Sequence, residues 1–164
     1  MEYFVGVVLA ILVSLGATVV GFDRDRAMYP VVIVVIALLY ALFAVIGNSG
    51  EALLWESIPI VLFILAAVLG FRRSLWWAVL GLAAHGVFDL FHAGLIHNPG
   101  VPSWWPMFCS SYDLVAAAYL AWLLGSGRLA AECKDSKGDA TLSGVPLESR
   151  LRGASFPLAF AARA

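Results

Sequence analysis

The sequence predicts an all-α membrane protein: a bundle of about five transmembrane helices with its N-terminus outside and a short C-terminal tail in the cytoplasm. Three observations carry that expectation. Apolar residues make up 62% of the 164-residue chain and charged residues 13%, with a mean hydropathy of +0.92; one soluble core of this length could not bury that much apolar surface. The apolar residues gather into five runs of about 20, the length a helix needs to cross roughly 30 Å of hydrocarbon. All ten Lys and Arg lie outside those runs, in segments that an alternating topology places on one side.

The first span is expected over 2–21, YFVGVVLAILVSLGATVVG after Glu2. An acidic residue stands where a signal peptide carries a basic one, and no small-residue cleavage site precedes a soluble domain, so the segment reads as a retained span. FDRDRAMY leads to the second, 30–47, and GNSGE to the third, 52–71. Pro59 follows Glu56 by three residues, so span three is expected either to kink there or to begin near Ser57. RRS precedes the fourth span, 74–96, and HNPGVPSWW the fifth, 105–125. Residues 1–125 then form one transmembrane domain. Residues 126–164 mix charge, Gly, Ser and Pro and read as a disordered or loosely structured tail.

Orientation follows from the basic residues, because cytoplasmic loops retain Lys and Arg. Arg24, Arg26, Arg72 and Arg73 mark loops one and three, and the other six lie in the tail. Trp104 and Trp105 then sit at the outer interface as belt residues, Trp76 and Trp77 at the inner one, and His97 in a loop. A net charge of −1 and the lack of a basic run with interleaved aromatics exclude nucleic acid. Cys109 and Cys133 show neither disulfide framework nor C-x-x-C spacing.

The remaining ionisable groups lean towards the outer half. Counting 1.5 Å per residue from the outer helix ends puts Asp89 and Asp113 roughly 12–14 Å deep, His85 roughly 18 Å, and His92 and Glu56 both about 7 Å. In HGVFDLFH, residues 85–92, the i, i+4, i+7 spacing sets His85, Asp89 and His92 on one helix face. Gly86 and Gly94 are small residues that let a neighbouring helix approach. On span five, Asp113 with Cys109 or Ser110 forms the favoured stripe. An ionised carboxylate at this depth must be protonated, paired, hydrated or bound to a cation, and no Lys or Arg shares its side. Imidazole and carboxylate without a fixed positive charge suit a divalent metal or a proton and do not clamp an anion. The expected metal ligands are His85, Asp89 and His92, with zinc or iron as the ion. Asp113 completes the site, and Ser110 joins it as a catalytic side chain. The bland alternative is polar glue, hydrogen bonds that only fix helix packing. Glu56, near Pro59, reads as a solvated first-turn acid.

The stretch HGVFDLFHAGLIHNPGVPSWWPMFCSSYD, within residues 85–124, resembles a group of small multi-pass bacterial membrane proteins; the resemblance covers about a quarter of the chain and implies no activity. Two looser likenesses concern the site. His85, Asp89, His92, Asp113 and Ser110 resemble the His, Asp and Ser set of the intramembrane metal hydrolases related to alkaline ceramidases, although this chain lacks two of their usual seven spans. His85, Asp89 and Glu56 are similar to the His and acidic residues of the sterol-isomerase-like membrane proteins.

The leading functional expectation is therefore a metal-dependent membrane hydrolase in the bacterial inner (plasma) membrane, whose partners are the lipid bilayer and a lipidic small molecule with an ester or amide. A proton or divalent-cation carrier is the first alternative, opposed by an expected lack of polar residues in the cytoplasmic halves of the spans. A structural or assembly subunit is the second.

Overall fold

The computed structural model describes residues 1–129; the remainder of the expected tail, 130–164, lies outside the described residues. Five α-helices follow one another: α1 Glu2–Val20, α2 Met28–Ile46, α3 Gly50–Arg72, α4 Trp76–Leu95 and α5 Trp105–Gly125, with a single 3-10 turn, Phe22–Arg24, after α1. All five are long and apolar enough to span a membrane. No more than 39% of the most apolar stretch of any of them is buried, so most of their Leu, Ile, Val and Phe face outward. Glu56, His85, Asp89 and Asp113, by contrast, are at most 1% exposed. Apolar outside and ionisable inside is the arrangement a hydrocarbon solvent favours.

The helix ends follow local chemistry. Gly21 closes α1 in the left-handed region at φ 87°, its N–H bonding the Ala17 carbonyl. Asn48, at φ 50°, turns the chain between α2 and α3. Ser49 then caps α3, its Oγ accepting from the Ala52 N–H at 3.1 Å. That cap starts the helix at Gly50, earlier than the proline suggests, and α3 runs through Pro59 to Arg72. Pro59 removes one ladder hydrogen bond, the one to the Trp55 carbonyl, which a membrane helix tolerates. Pro106 stands in the first turn of α5, where no N–H is needed.

Close helix contacts are made by small residues. Gly6, Ala10, Ser14 and Ala17 form the buried stripe of α1, which packs on α5; a Cβ at Gly6 would run into the Ser111 hydroxyl and the Phe108 carbonyl. Gly86 plays the same part between α4 and α5, where a Cβ would stand 3.0 Å from the Ser110 carbonyl oxygen and 3.3 Å from Asp113 Cβ. Gly94, expected to share that role, is exposed with open space beside it. Loops one and three meet, since Arg26 donates to the Arg73 carbonyl at 3.1 Å. Arg128 lies over the Trp122 ring at 4.4 Å.

Two expectations about the ends change. Trp104 is exposed as a belt residue should be, but Trp105 turns inward, its ring centroid 5.2 Å from that of Phe43 and its Nε1 buried. The ends of the spans beside Arg24 and Arg73 also carry polar groups. The Thr18 hydroxyl lies 2.7 Å from both Asp23 Oδ2 and Tyr119 Oη, and Tyr29 buries its hydroxyl nearby on α2. Counting only charges within the apolar runs overlooked this threonine and these tyrosines.

Candidate metal centre

α4 presents His85 and Asp89 one turn apart, and α5 presents Cys109 and Asp113 one turn apart; the missing side chain of Gly86 lets the two pairs meet. One donor atom from each of the four residues lies within 4.8 Å of all the others, and all four residues are buried. His85 Nδ1 is 2.8 Å from Asp113 Oδ2 and 3.4 Å from Asp89 Oδ2. Cys109 Sγ is 3.6 Å from Asp113 Oδ2. Asp89 Oδ1 accepts a hydrogen bond from the Tyr40 hydroxyl of α2 at 2.7 Å. Asp89 Oδ2 and Asp113 Oδ1 are buried with no hydrogen-bond partner, as is His85 Nε2.

Of the residues the sequence singled out, His85, Asp89 and Asp113 come together. His92 shares their helix face but belongs to a neighbouring group. Its Nε2 lies 2.7 Å from Glu56 Oε1, and the same oxygen accepts from Asn98 Nδ2 at 2.9 Å. Glu56 is therefore not the solvated first-turn acid expected; it is fully buried, held by an imidazole and an amide. Both groups were placed about 7 Å deep by residue counting, so the signal for their meeting was present. Ser110 is buried on α5; Cys109, the other half of the favoured stripe, is one of the four converging donors.

Three residues escaped the sequence reading. Tyr40 joins the two groups, bonding Asp89 through its hydroxyl and stacking its ring on His92 with centroids 4.2 Å apart. It lies six residues before the Ile46 end of α2, as Asp89 does before the Leu95 end of α4, a match that counting ionisable residues alone does not register. Asn98, within the HNPGVPSWW loop, bonds both Glu56 and the Tyr40 carbonyl, the latter at 3.1 Å. Phe63 sets its ring edge against His85 with centroids 4.7 Å apart.

The donor chemistry fits a divalent transition ion. In a tetrahedral site with bonds of about 2.1 Å to N or O and 2.3 Å to S, neighbouring donors stand roughly 3.4–3.6 Å apart, as the His85–Asp89 and Cys109–Asp113 separations do. The 2.8 Å His85–Asp113 contact is a hydrogen bond, whose proton would have to leave for both atoms to hold an ion. Two carboxylates would cancel the charge of a dication, and Cys109, which must ionise to ligate, would leave the centre with one negative charge in hydrocarbon. Comparison with protein-family models, with curated proteins and with solved structures gives no match for this chain.

Proposed function

We propose that this integral membrane protein binds a divalent metal, zinc or iron by donor type, through His85, Asp89, Cys109 and Asp113, and acts as a metal-dependent hydrolase on a lipidic ester or amide. The observation that carries the metal reading is the convergence of four buried donor residues within 4.8 Å. The unpartnered carboxylate oxygens of Asp89 and Asp113 add to it, since a buried acceptor without a donor is costly unless a cation takes it. Cys109 takes the place in the ligand set that sequence spacing gave to His92. A bound divalent ion would supply Lewis-acid polarisation of a carbonyl and acidify water, at a fifth position, because four protein donors fill a tetrahedral shell. The donors are closed to bulk water, so the hydrolase reading requires a substrate that arrives from the hydrocarbon side. The orientation read from the basic residues puts the centre in the outer half of the bilayer.

A second reading has its own observations. The His85–Asp113 bond ties α4 to α5 and the Tyr40–Asp89 bond ties α2 to α4, which is what a purely structural hydrogen-bonded lock would need. Elemental analysis of detergent-purified wild type and Asp89→Asn separates the two. Asn keeps an acceptor for Tyr40 and removes the charge that the ion needs. The metal reading expects about one metal per chain in wild type and little in the variant, with both folded. A wild type that binds no metal in the presence of excess zinc or iron, or a variant that binds as much, overturns it. Hydrolysis of a fluorogenic acyl ester by the metal-loaded protein, lost in Asp89→Asn, tests the reaction; a metal-loaded protein inert to acyl esters and amides refutes the hydrolase reading alone.

A further inference from the structure

The four converging donor residues do not bring equal numbers of atoms to an ion. His85 and Cys109 bring one each, and a carboxylate brings one oxygen or both. The number of carboxylate oxygens that reach the ion therefore fixes its coordination number. That number sorts divalent metals: zinc takes four donors, or five at reactive centres, whereas manganese and calcium take six or more, mostly oxygen.

The two carboxylates differ in this respect. Asp89 divides its oxygens between two helices. Oδ2 faces the centre, 3.4 Å from His85 Nδ1, and has no hydrogen-bond partner among the described residues. Oδ1 faces α2 and accepts the Tyr40 hydroxyl at 2.7 Å. Both residues are 1% exposed, so bulk water does not compete for that bond. On Asp113, Oδ2 meets His85 and Cys109 at 2.8 and 3.6 Å, while Oδ1 is buried without a partner. Asp113 is thus free to turn its second oxygen to an ion. Asp89 is not, unless it gives up the phenol.

The phenol is itself held in place. Its ring stacks on that of His92, with centroids 4.2 Å apart, and stands edge-on to Phe43 and Phe88 at 6.2 and 6.1 Å. The Tyr40 backbone carbonyl accepts from Asn98 Nδ2 at 3.1 Å. A ring wedged in this way keeps its hydroxyl on Oδ1, and drawing that oxygen to an ion breaks a buried bond and strands its donor. The Glu56–His92–Asn98 group lies outside the donor set, yet it holds the residue that holds Asp89.

We propose that Tyr40 determines which ion the centre takes, by limiting Asp89 to one oxygen. With Tyr40 in place the four residues offer an ion at most five donor atoms, two of them from Asp113; without its hydroxyl they offer six. The tyrosine thus favours zinc over manganese and calcium. It also keeps Asp89 from filling the fifth position, which the hydrolase reading reserves for water or a substrate carbonyl. Tyr40 touches no ion and acts through Asp89, as a positioning residue. The proposal rests on the metal reading above and is independent of the reaction.

The test uses the full chain in detergent, wild type and Tyr40→Phe, titrated with zinc and with manganese. Each is then loaded with cobalt, whose visible spectrum is strong in four- and five-coordinate sites and weak in six-coordinate ones. Wild type should prefer zinc and give the strong spectrum. Tyr40→Phe should bind zinc about 10-fold more weakly, the loss typical of a ligand's hydrogen-bonding partner, while it binds manganese at least as well as wild type and gives the weak spectrum. Tyr29→Phe removes another buried hydroxyl of α2, one that bonds no donor residue, and should change none of these. A tyrosine that only braces the bundle would weaken both metals alike and leave the spectrum unaltered, and that result overturns the proposal. So does a weak, six-coordinate spectrum in the wild type itself. A wild type that binds none of the three metals defeats the metal reading and the proposal with it, so the wild type alone tells the two failures apart.

Discussion

Adding one methyl group at Gly86 should weaken metal binding while leaving every donor residue in place. The new Cβ would stand 3.0 Å from both Leu114 Cγ and the Ser110 carbonyl oxygen and 3.3 Å from Asp113 Cβ, where ordinary contact begins at 3.4 Å. The Leu114 side chain has room to turn. The Ser110 carbonyl is backbone, so α4 and α5 must part by about 0.4 Å. That displacement stretches the His85–Asp113 contact from 2.8 Å to about 3.2 Å if it is taken up along that line. Overpacking of this kind costs about 1 kcal/mol, or roughly 3 °C in Tm for a chain of this size. Gly86→Leu drives a longer wedge into the same contact and should cost about 3 kcal/mol. Zinc titration in detergent, with tryptophan-monitored melting alongside, reads both effects. Affinity should fall about 10-fold for Ala and about 100-fold or more for Leu, the range typical of residues that orient ligands without touching the ion. If Gly86→Leu binds zinc as wild type does and melts at the same temperature, the close approach of α4 and α5 is not what assembles the donors.

Glu56→Ala strands the His92 and Asn98 donors and should cost about 2–3 kcal/mol, whereas Glu56→Gln keeps an acceptor oxygen and should cost about 1 kcal/mol; equal Tm values for the two variants would show that the buried pair is not satisfied as described. Tyr40→Phe removes a single interhelical hydrogen bond, worth about 0.6 kcal/mol in membranes, so its melting should shift by no more than about 3 °C. A drop several times larger would mean that Tyr40 holds more of the bundle than Asp89. A reporter that fluoresces only in the cytoplasm should be bright after Ala164 and dark within the α2–α3 turn at Asn48, and the opposite pattern reverses the orientation.

The helices were legible because their cause is compositional. Apolar runs interrupted by charge, Gly and Pro place each end within two residues of where it falls, and the largest surprise, the start of α3, came from one serine hydroxyl. The site was legible in part. His85 and Asp89 share a face by spacing alone, and Asp113 was matched to them by depth. Spacing does not reveal which neighbour a face meets, and His92 shows the consequence: it lies on the stripe, yet α3 stands nearer to it than α5 does and Glu56 takes its ring nitrogen. Tyr40 and Asn98 were missed for a different reason. Their roles depend on hydroxyl and amide hydrogen bonds to helices distant in sequence, and neither residue carries the charge that makes a side chain conspicuous in a membrane span.

All four converging donors belong to α4 and α5, with His85 and Asp113 28 positions apart. The set can therefore form within one helical hairpin, closed by the loop 96–104, before α1, α2 and α3 take their final places; joining neighbouring helices costs little chain entropy. The Glu56–His92–Asn98 group is of the other kind, because it draws on α3 as well and exists only after the two halves of the bundle have docked. The two groups therefore differ in what they require: the four-donor centre needs α4 and α5 alone, and the imidazole–carboxylate pair needs α3 as well. A fragment from Trp76 to Gly125 would retain every donor while losing Tyr40, whose hydroxyl holds Asp89, and the Phe63 ring beside His85.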